Sequence, residues 1–391
     1  MGSLFAAGLV IYLARILEAE SFGYLSYATT FIFYLFNFVD LGLSTYGIRQ
    51  VAKDHDAVSE YVSNIVSFKL LLATVLFIFF AVLSVTFSQP VILKIVMAET
   101  CLMLFCSALA TEWAFQGLEK MHMVLVSYAV TPFLQLLLSV IFVKGPADLV
   151  KVPLIGFFGS LPIVILFLRR LRFRLRLSRI DFGKIRVYLT SSIVIWGISV
   201  FAQAYNNLDI VALGFFRKPE EVGIFTVARR IAGGAGVLMI LLANAVLPRL
   251  SCAFGGDDLE QFRRATAKFL KIAIAMVALV FVPLAVYGKE IIAFTVGGEY
   301  VSAVAPLRIM IAALVLVMFN IPFSTGLIAA CFERDVLKQV SASAALSLIL
   351  NLVLMPKYGM IGASISFFFA ELLALIWILV VYHKRIKIRR V

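Results

Sequence analysis

Eight ionisable side chains lie inside runs of sequence that are otherwise apolar: Arg15, Asp40, Lys69, Glu99, Asp209, Arg229, Arg230 and Glu371. If those runs cross a bilayer, each charge held at its centre costs about 2.5–3.5 kcal/mol on insertion scales, so structural indifference is a poor explanation. Adjacent guanidinium groups, Arg229 and Arg230, suit the oxygens of a diphosphate or an acidic sugar. Asp209 and Arg230 are equally distant from the turn beside Pro219, which places them at similar depth and makes an ion pair between them one expectation. Arg229 is then the surplus positive charge. Glu99 and Glu371 lie deep in their runs. Each is either a proton or cation site or a protonated carboxyl satisfied by a neighbouring helix. Lys69 is close enough to the end of its run to snorkel to the interface, and Arg15 stands near an end as well.

Uncharged polar residues fall in stripes. At about 100° per residue, Ser192, Trp196, Ser199, Gln203, Asn206 and Asn207 occupy one sector of a helix. Thr226, Arg229, Arg230, Gly233 and Asn244 do the same on the next, as do Thr30, Tyr34, Asn37 and Ser44, with Asp40 at that stripe's edge. Such stripes line a hydrated cavity or make helix–helix hydrogen bonds in a dry core; both readings stand at this point. On the cavity reading the substrate-binding candidates are Arg15, Asn37, Asp40, Gln203, Asn206, Asn207, Asp209, Arg229 and Arg230, with Glu99 and Glu371 as possible ion-coupling groups. There is no CxxC, HExxH, Walker loop or GxGxxG, so no metal, cofactor or catalytic residue is expected. The four cysteines read as small buried side chains, and the three histidines, His55, His122 and His383, are far apart in sequence.

The elements that must position these groups follow from composition. The 391 residues are 62% hydrophobic and 15% charged, against nearly half apolar and a quarter charged in soluble domains. Runs such as "FKLLLATVLFIFFAVLSVTF" (68–87) can span about 30 Å of hydrocarbon as helices. Twelve apolar runs predict an all-α, polytopic membrane protein. The first run is short for a span, and it lacks the basic leader and small-residue cleavage site of a signal peptide. Of 35 Lys and Arg residues, 23 fall in alternate loops and the C-terminal tail, eight in the opposite loops and four in spans. That bias places both termini in the cytoplasm. The densest basic stretch, "RRLRFRLRLSRIDFGKIR" (169–186), is suited to anionic lipid headgroups rather than nucleic acid.

The sequence also repeats itself. "ESFGYLSYA" (20–28) lies over "EEVGIFTVA" (220–228), and Lys94, Glu119 and Lys120 lie over Arg308, Glu333 and Arg334. Two copies of six spans are therefore expected, 1–168 and 187–382, joined by the basic linker 169–186 and followed by the basic tail 383–391. An even number of spans per copy gives both the same orientation, with a central cleft between two pseudo-symmetric lobes.

"ARILEAESFGYLSYATTFIFYLFNFVDLGLSTYGIRQVA" (14–52) resembles the opening of bacterial polysaccharide flippases, whose pattern is Ala-Arg-x-Leu-Gly-x-x-x-Phe-Gly, then Leu-Gly-Leu and Gly-x-Arg. "EWAFQGLEKM" (112–121), "NLDIVALGFFRKPEEVGIFTVARRI" (207–231) and "NLVLMPKYGMIGASISFFFAE" (351–371) are similar to later blocks of that family. Glu18 departs from the pattern, standing where Gly is usual. The resemblance covers essentially the whole chain and points to the multidrug/oligosaccharidyl-lipid/polysaccharide exporter superfamily. It implies a bacterial inner-membrane, multi-pass protein that is not an enzyme. Its implied work is to turn undecaprenyl-diphosphate-linked oligosaccharide repeat units to the outer leaflet by alternating access, in surface polysaccharide (O-antigen, capsule or exopolysaccharide) biosynthesis. Its implied partners are that lipid-linked substrate, membrane lipids, and a polysaccharide polymerase with its chain-length machinery. Rival readings are a small-molecule or drug exporter of the same superfamily and, from another class, a membrane polymerase or glycosyltransferase. A cationic cleft disfavours cationic drugs, and the longest outer loop (288–306) has neither Arg nor His.

Overall fold

The computed structural model describes residues 2–86, 90–171, 181–255, 259–330 and 332–388; side chains at 201–208 and 235–242, and at several other helical positions, are not described. The described residues form helices without strands, as backbone in hydrocarbon requires, because each N–H and C=O is then satisfied within its own segment. In order they are α1 (Gly2–Asp40), α2 (Leu43–Lys53), α3 (Val58–Thr86), α4 (Val91–Cys101), α5 (Met103–Leu109), α6 (Glu112–Gly117), α7 (Met121–Phe142) and α8 (Lys151–Arg170). Then come α9 (Phe182–Phe216), α10 (Pro219–Gly255), α11 (Leu259–Met276), α12 (Val282–Val286), α13 (Gly288–Thr295), α14 (Val304–Ala329) and α15 (Glu333–Ile388). Among the described residues, eight helical stretches are long and apolar enough to cross a membrane.

Two of these helices are broken by backbone that L-residues rarely adopt. α1 breaks at Glu18 (φ 61°, ψ 170°), and α15 breaks at Gly359 (φ 54°, ψ −132°). The first break explains why glycine is the usual residue there in the family that the sequence resembles. A side chain in that region costs about 1–3 kcal/mol, and Glu18 carries that strain.

The chain packs as two compact units, Met1–Val211 and Ala212–Val391, a division that falls within α9 and not in the basic stretch before it. In the first unit α1 packs on α7 and α4, and α7 on α8. Its core runs through Leu43, Val66, Trp113, Phe115 and Phe167. In the second unit α14 packs on α15 and α10, with Leu250, Phe262 and Ala329 at one end of its core. Cys101 and Cys106 are buried as expected, but Cys252 is exposed.

Alternate loops gather at the same end of each unit. In the first, residues from 55–64 and 115–123 line one cavity with Arg170, Leu171, Asp181 and Lys184, while Tyr12 Oη donates to the carbonyl of Val143 (2.7 Å) beyond α7. In the second, Arg385 bonds Asp335 (2.8 Å) and Tyr382 stacks on Phe262, whereas Arg217 reaches α15 from the α9–α10 turn.

Candidate functional site

The first unit builds a charged knot where α1 ends. Leu41 (φ 47°) and Gly42 (φ 76°) both take left-handed backbone, which stops α1 at Asp40 and turns the chain into α2. Lys69 on α3 points into that turn. Its Nζ lies 2.5 Å from Asp40 Oδ1 and 2.8 Å from Ser44 Oγ, and the Ser44 hydroxyl donates to the same carboxylate at 2.5 Å. Lys69 is 2% exposed, so the expected snorkelling does not occur. Reaching the interface would abandon a partly buried carboxylate, and that pairing outweighs hydration of the ammonium. Glu112, at the start of α6, also acts electrostatically on Lys69.

α9 is pinned to the same turn. Ser192 Oγ donates to the carbonyl of Leu41 (2.8 Å), and Trp196 Nε1 donates to the carbonyl of Asn37 (2.9 Å) while its ring meets Phe38 edge-on. A Cβ on Gly42 would lie 2.8 Å from the Ser192 carbonyl oxygen, so this glycine meets both a conformational and a steric demand. Ser192 and Trp196 thus follow the dry, helix–helix reading of their stripe. Gln203, Asn206 and Asn207 lie on the same helix, but their side chains are outside those described. Asn37 turns its amide back to Phe33 (3.1 Å), and Thr226 back to Val222 (2.7 Å).

The other candidates are spread along the chain. Arg15 is exposed, three residues before the break in α1. Glu99 is half-buried on α4, and its Oε2 is buried with no hydrogen-bond partner among the described residues, an oxygen left open to a proton or a cation. Glu371 is buried on α15, and buried Asp209 accepts the Ile210 N–H at 2.9 Å. Arg229 and Arg230 fall in the second unit, on α10. Arg230 is exposed, while the half-buried guanidinium of Arg229 lies 5.3 Å over the ring of Phe367. A ring partner occupies the face of a guanidinium and leaves its in-plane donors directed elsewhere.

Sequence reasoning missed Arg217. The break in α15 frees backbone carbonyls ahead of Gly359, and Arg217 takes two of them, Met355 (3.2 Å from Nε) and Pro356 (3.0 Å from Nη2). Glu221 closes the other side, since a Cβ on Gly359 would lie 2.2 Å from its carboxylate oxygen. No group of three His, Cys, Asp or Glu residues that could hold a metal occurs among the described residues.

The polysaccharide biosynthesis protein family matches residues 1–254. The chain belongs to that family. Over 94% of its length it is 25% identical to a protein of Shigella dysenteriae named as an O-antigen transporter, covering 93% of that protein. Two solved structures share the fold of this family member at 15% identity. The lipid II flippase MurJ, in an inward closed conformation, has a TM-score of 0.75 over 97% of this chain and 86% of its own. An inward-facing multidrug resistance MATE transporter of the MOP superfamily has a TM-score of 0.73 over 99% and 95%.

Proposed function

We propose that this polysaccharide biosynthesis protein is a flippase of the MOP superfamily that turns undecaprenyl-diphosphate-linked oligosaccharide repeat units from the inner to the outer leaflet of the bacterial cytoplasmic membrane. It is a transporter and not an enzyme. The observation that carries the reading is its end-to-end similarity to a protein named as an O-antigen transporter. The geometry of Arg229 over Phe367 supports the choice of substrate class, because a guanidinium suits diphosphate oxygens and an aromatic face suits a sugar ring. A drug exporter would share the fold but not the family. A polymerase and its chain-length machinery are the partners expected once the glycan reaches the outer face.

Twelve spans in two six-helix lobes, 1–168 and 187–382, remain our reading of the architecture. Counting α1 and α15 twice at their breaks, with α3, α4–α5, α7, α8, α9, α10, α11–α12 and α14, gives that number. Glu99, Glu371, Gln203, Asn206, Asn207, Asp209, Arg229 and Arg230 are proposed to face the translocation path. Both termini and the basic linker are proposed to be cytoplasmic, following the charge bias. Labelling single introduced cysteines in intact cells checks this orientation: sites beside Glu220 and Gly298 should react from outside, and one at Arg174 should not. Reaction at 174 would reverse the topology.

Deleting the gene and extracting lipid-linked glycans tests the function. Completed repeat units should accumulate on undecaprenyl diphosphate, accessible only from the cytoplasmic side. Unchanged surface glycan with increased drug sensitivity would favour the exporter, and single repeats at the surface would favour a polymerase.

A further inference from the structure

A cavity of about 1140 Å³ opens at the loop end of the first unit, walled by residues from 55–64 and 115–123 together with Arg170, Leu171, Asp181 and Lys184. Two of the chain's three histidines, His55 and His122, come together there from loops well separated in sequence. The floor is apolar, with Phe115, Met123 and Leu171 buried, and the rim is charged.

Of the three acids lining the cavity, Asp56 is exposed and the other two are engaged. Glu60 pairs with Lys184, and Asp181 Oδ1 accepts the Lys184 backbone N–H (3.0 Å) at the start of α9. The hydrogen bond to Glu60 holds the Lys184 ammonium above the usual lysine range, a mark of a committed pair. Two other cations of the lining have no such acidic partner among the described residues. Arg170 Nη1 meets Met123 Sδ at 3.7 Å, and a thioether is too weak an acceptor to balance a guanidinium. Lys120 has no acidic partner among the described residues. His122, two positions further along, lines the same cavity.

We infer that this cavity takes a phosphate-bearing ligand, its oxygens held by Lys120, His122 and Arg170 and its organic part resting on Phe115, Met123 and Leu171. Convergent cations over an apolar floor match that chemistry, since charge-assisted bonds fix the phosphate while the floor receives carbon. Among the described residues no group of three ligands includes His55 and His122, which does not match a metal site. The ligand can come from either of two sources, the headgroup of an anionic phospholipid or a soluble phosphate compound. None of the residues proposed for translocation takes part, so the site stands or falls independently of the flippase reading.

The test uses the full-length protein purified in a maltoside detergent. Native mass spectrometry compares retention of phosphatidylglycerol with that of phosphatidylcholine, and calorimetry titrates inorganic diphosphate. Retention of phosphatidylglycerol over phosphatidylcholine assigns a lipid headgroup. Diphosphate binding without that preference assigns a soluble ligand. In either case Lys120→Gln with Arg170→Gln should weaken binding about tenfold or more, as the loss of charge-assisted bonds implies. If the wild type shows no lipid preference and binds no diphosphate, the inference fails. It fails equally if the double variant, monodisperse on gel filtration, binds as the wild type does. Should that variant not yield folded protein, competition between diphosphate and phosphatidylglycerol on the wild type decides.

Discussion

In the first unit the cation buried within a span, Lys69, is turned onto a carboxylate and a hydroxyl that belong to neighbouring helices. In the second unit Arg229 rests on the face of Phe367, and Arg217 bonds the carbonyls freed by a broken helix. The two arrangements use positive charge differently. A carboxylate neutralises an ammonium and ties α1 to α3, so that charge holds helices together. An aromatic ring supports a guanidinium from its face and carries no formal charge of its own. The proposed division of labour therefore gives the first unit a structural knot and the second unit the contact with diphosphate.

The largest effect should come from the arginine. Arg229→Ala should lower export of lipid-linked glycan roughly 30- to 100-fold, the worth of bonds to a charged group, with the amount of membrane-inserted protein unchanged. Arg229→Lys should retain part of the activity, because it keeps the charge but not the planar fork. Surface glycan and membrane protein measured on the same cells decide it, and normal export by Arg229→Ala would remove the contrast between the units.

Next is the knot. Asp40→Ala strands a buried ammonium and should cost about 3 kcal/mol, at the lower end for buried pairs because the carboxylate is partly accessible. Asp40→Ala combined with Lys69→Met should recover more than half of that loss in thermal denaturation in detergent. If the double variant is as unstable as the single one, the two groups do not act as a pair.

Two smaller effects probe the helix breaks. Gly359→Ala should destabilise by about 1–3 kcal/mol, since the new Cβ meets both a left-handed backbone and the Glu221 carboxylate. Glu18→Gly should stabilise by about 1 kcal/mol, the strain relieved less the entropy that glycine adds to the unfolded chain. A neutral or unfavourable result at Glu18 would mean that its backbone is not strained.

Much of this was legible in the sequence, and the gaps have physical causes. Apolar runs declare spans because hydrocarbon tolerates few alternatives, so the all-helical class followed from composition. The departure of Glu18 from the glycine of related sequences already marked the break in α1. Lys69 misled because depth along a span cannot tell a snorkelling lysine from one that turns inward to a partner on another helix. Asp40 was recognised as unusual, yet its partner is 29 residues away on α3 and its hydrogen-bonding neighbour Ser44 had been placed only in a polar stripe. Arg217 looked like an ordinary loop charge because the carbonyls that it satisfies exist only once α15 breaks. His55 and His122 are far apart in sequence, and only the fold brings both to the lining of one cavity.

The central claim is that this protein moves a lipid-linked glycan across a bilayer, and reconstitution measures that directly. Purified protein in liposomes carrying an undecaprenyl-diphosphate oligosaccharide on the inner leaflet should expose the glycan to an external glycosidase, under an imposed ion gradient if one is needed. Liposomes with Arg229→Ala should show only the background exposure of empty ones. If wild-type liposomes leave the glycan protected under proton and sodium gradients of either sign, while the same preparation transports a small drug, the flippase assignment is wrong.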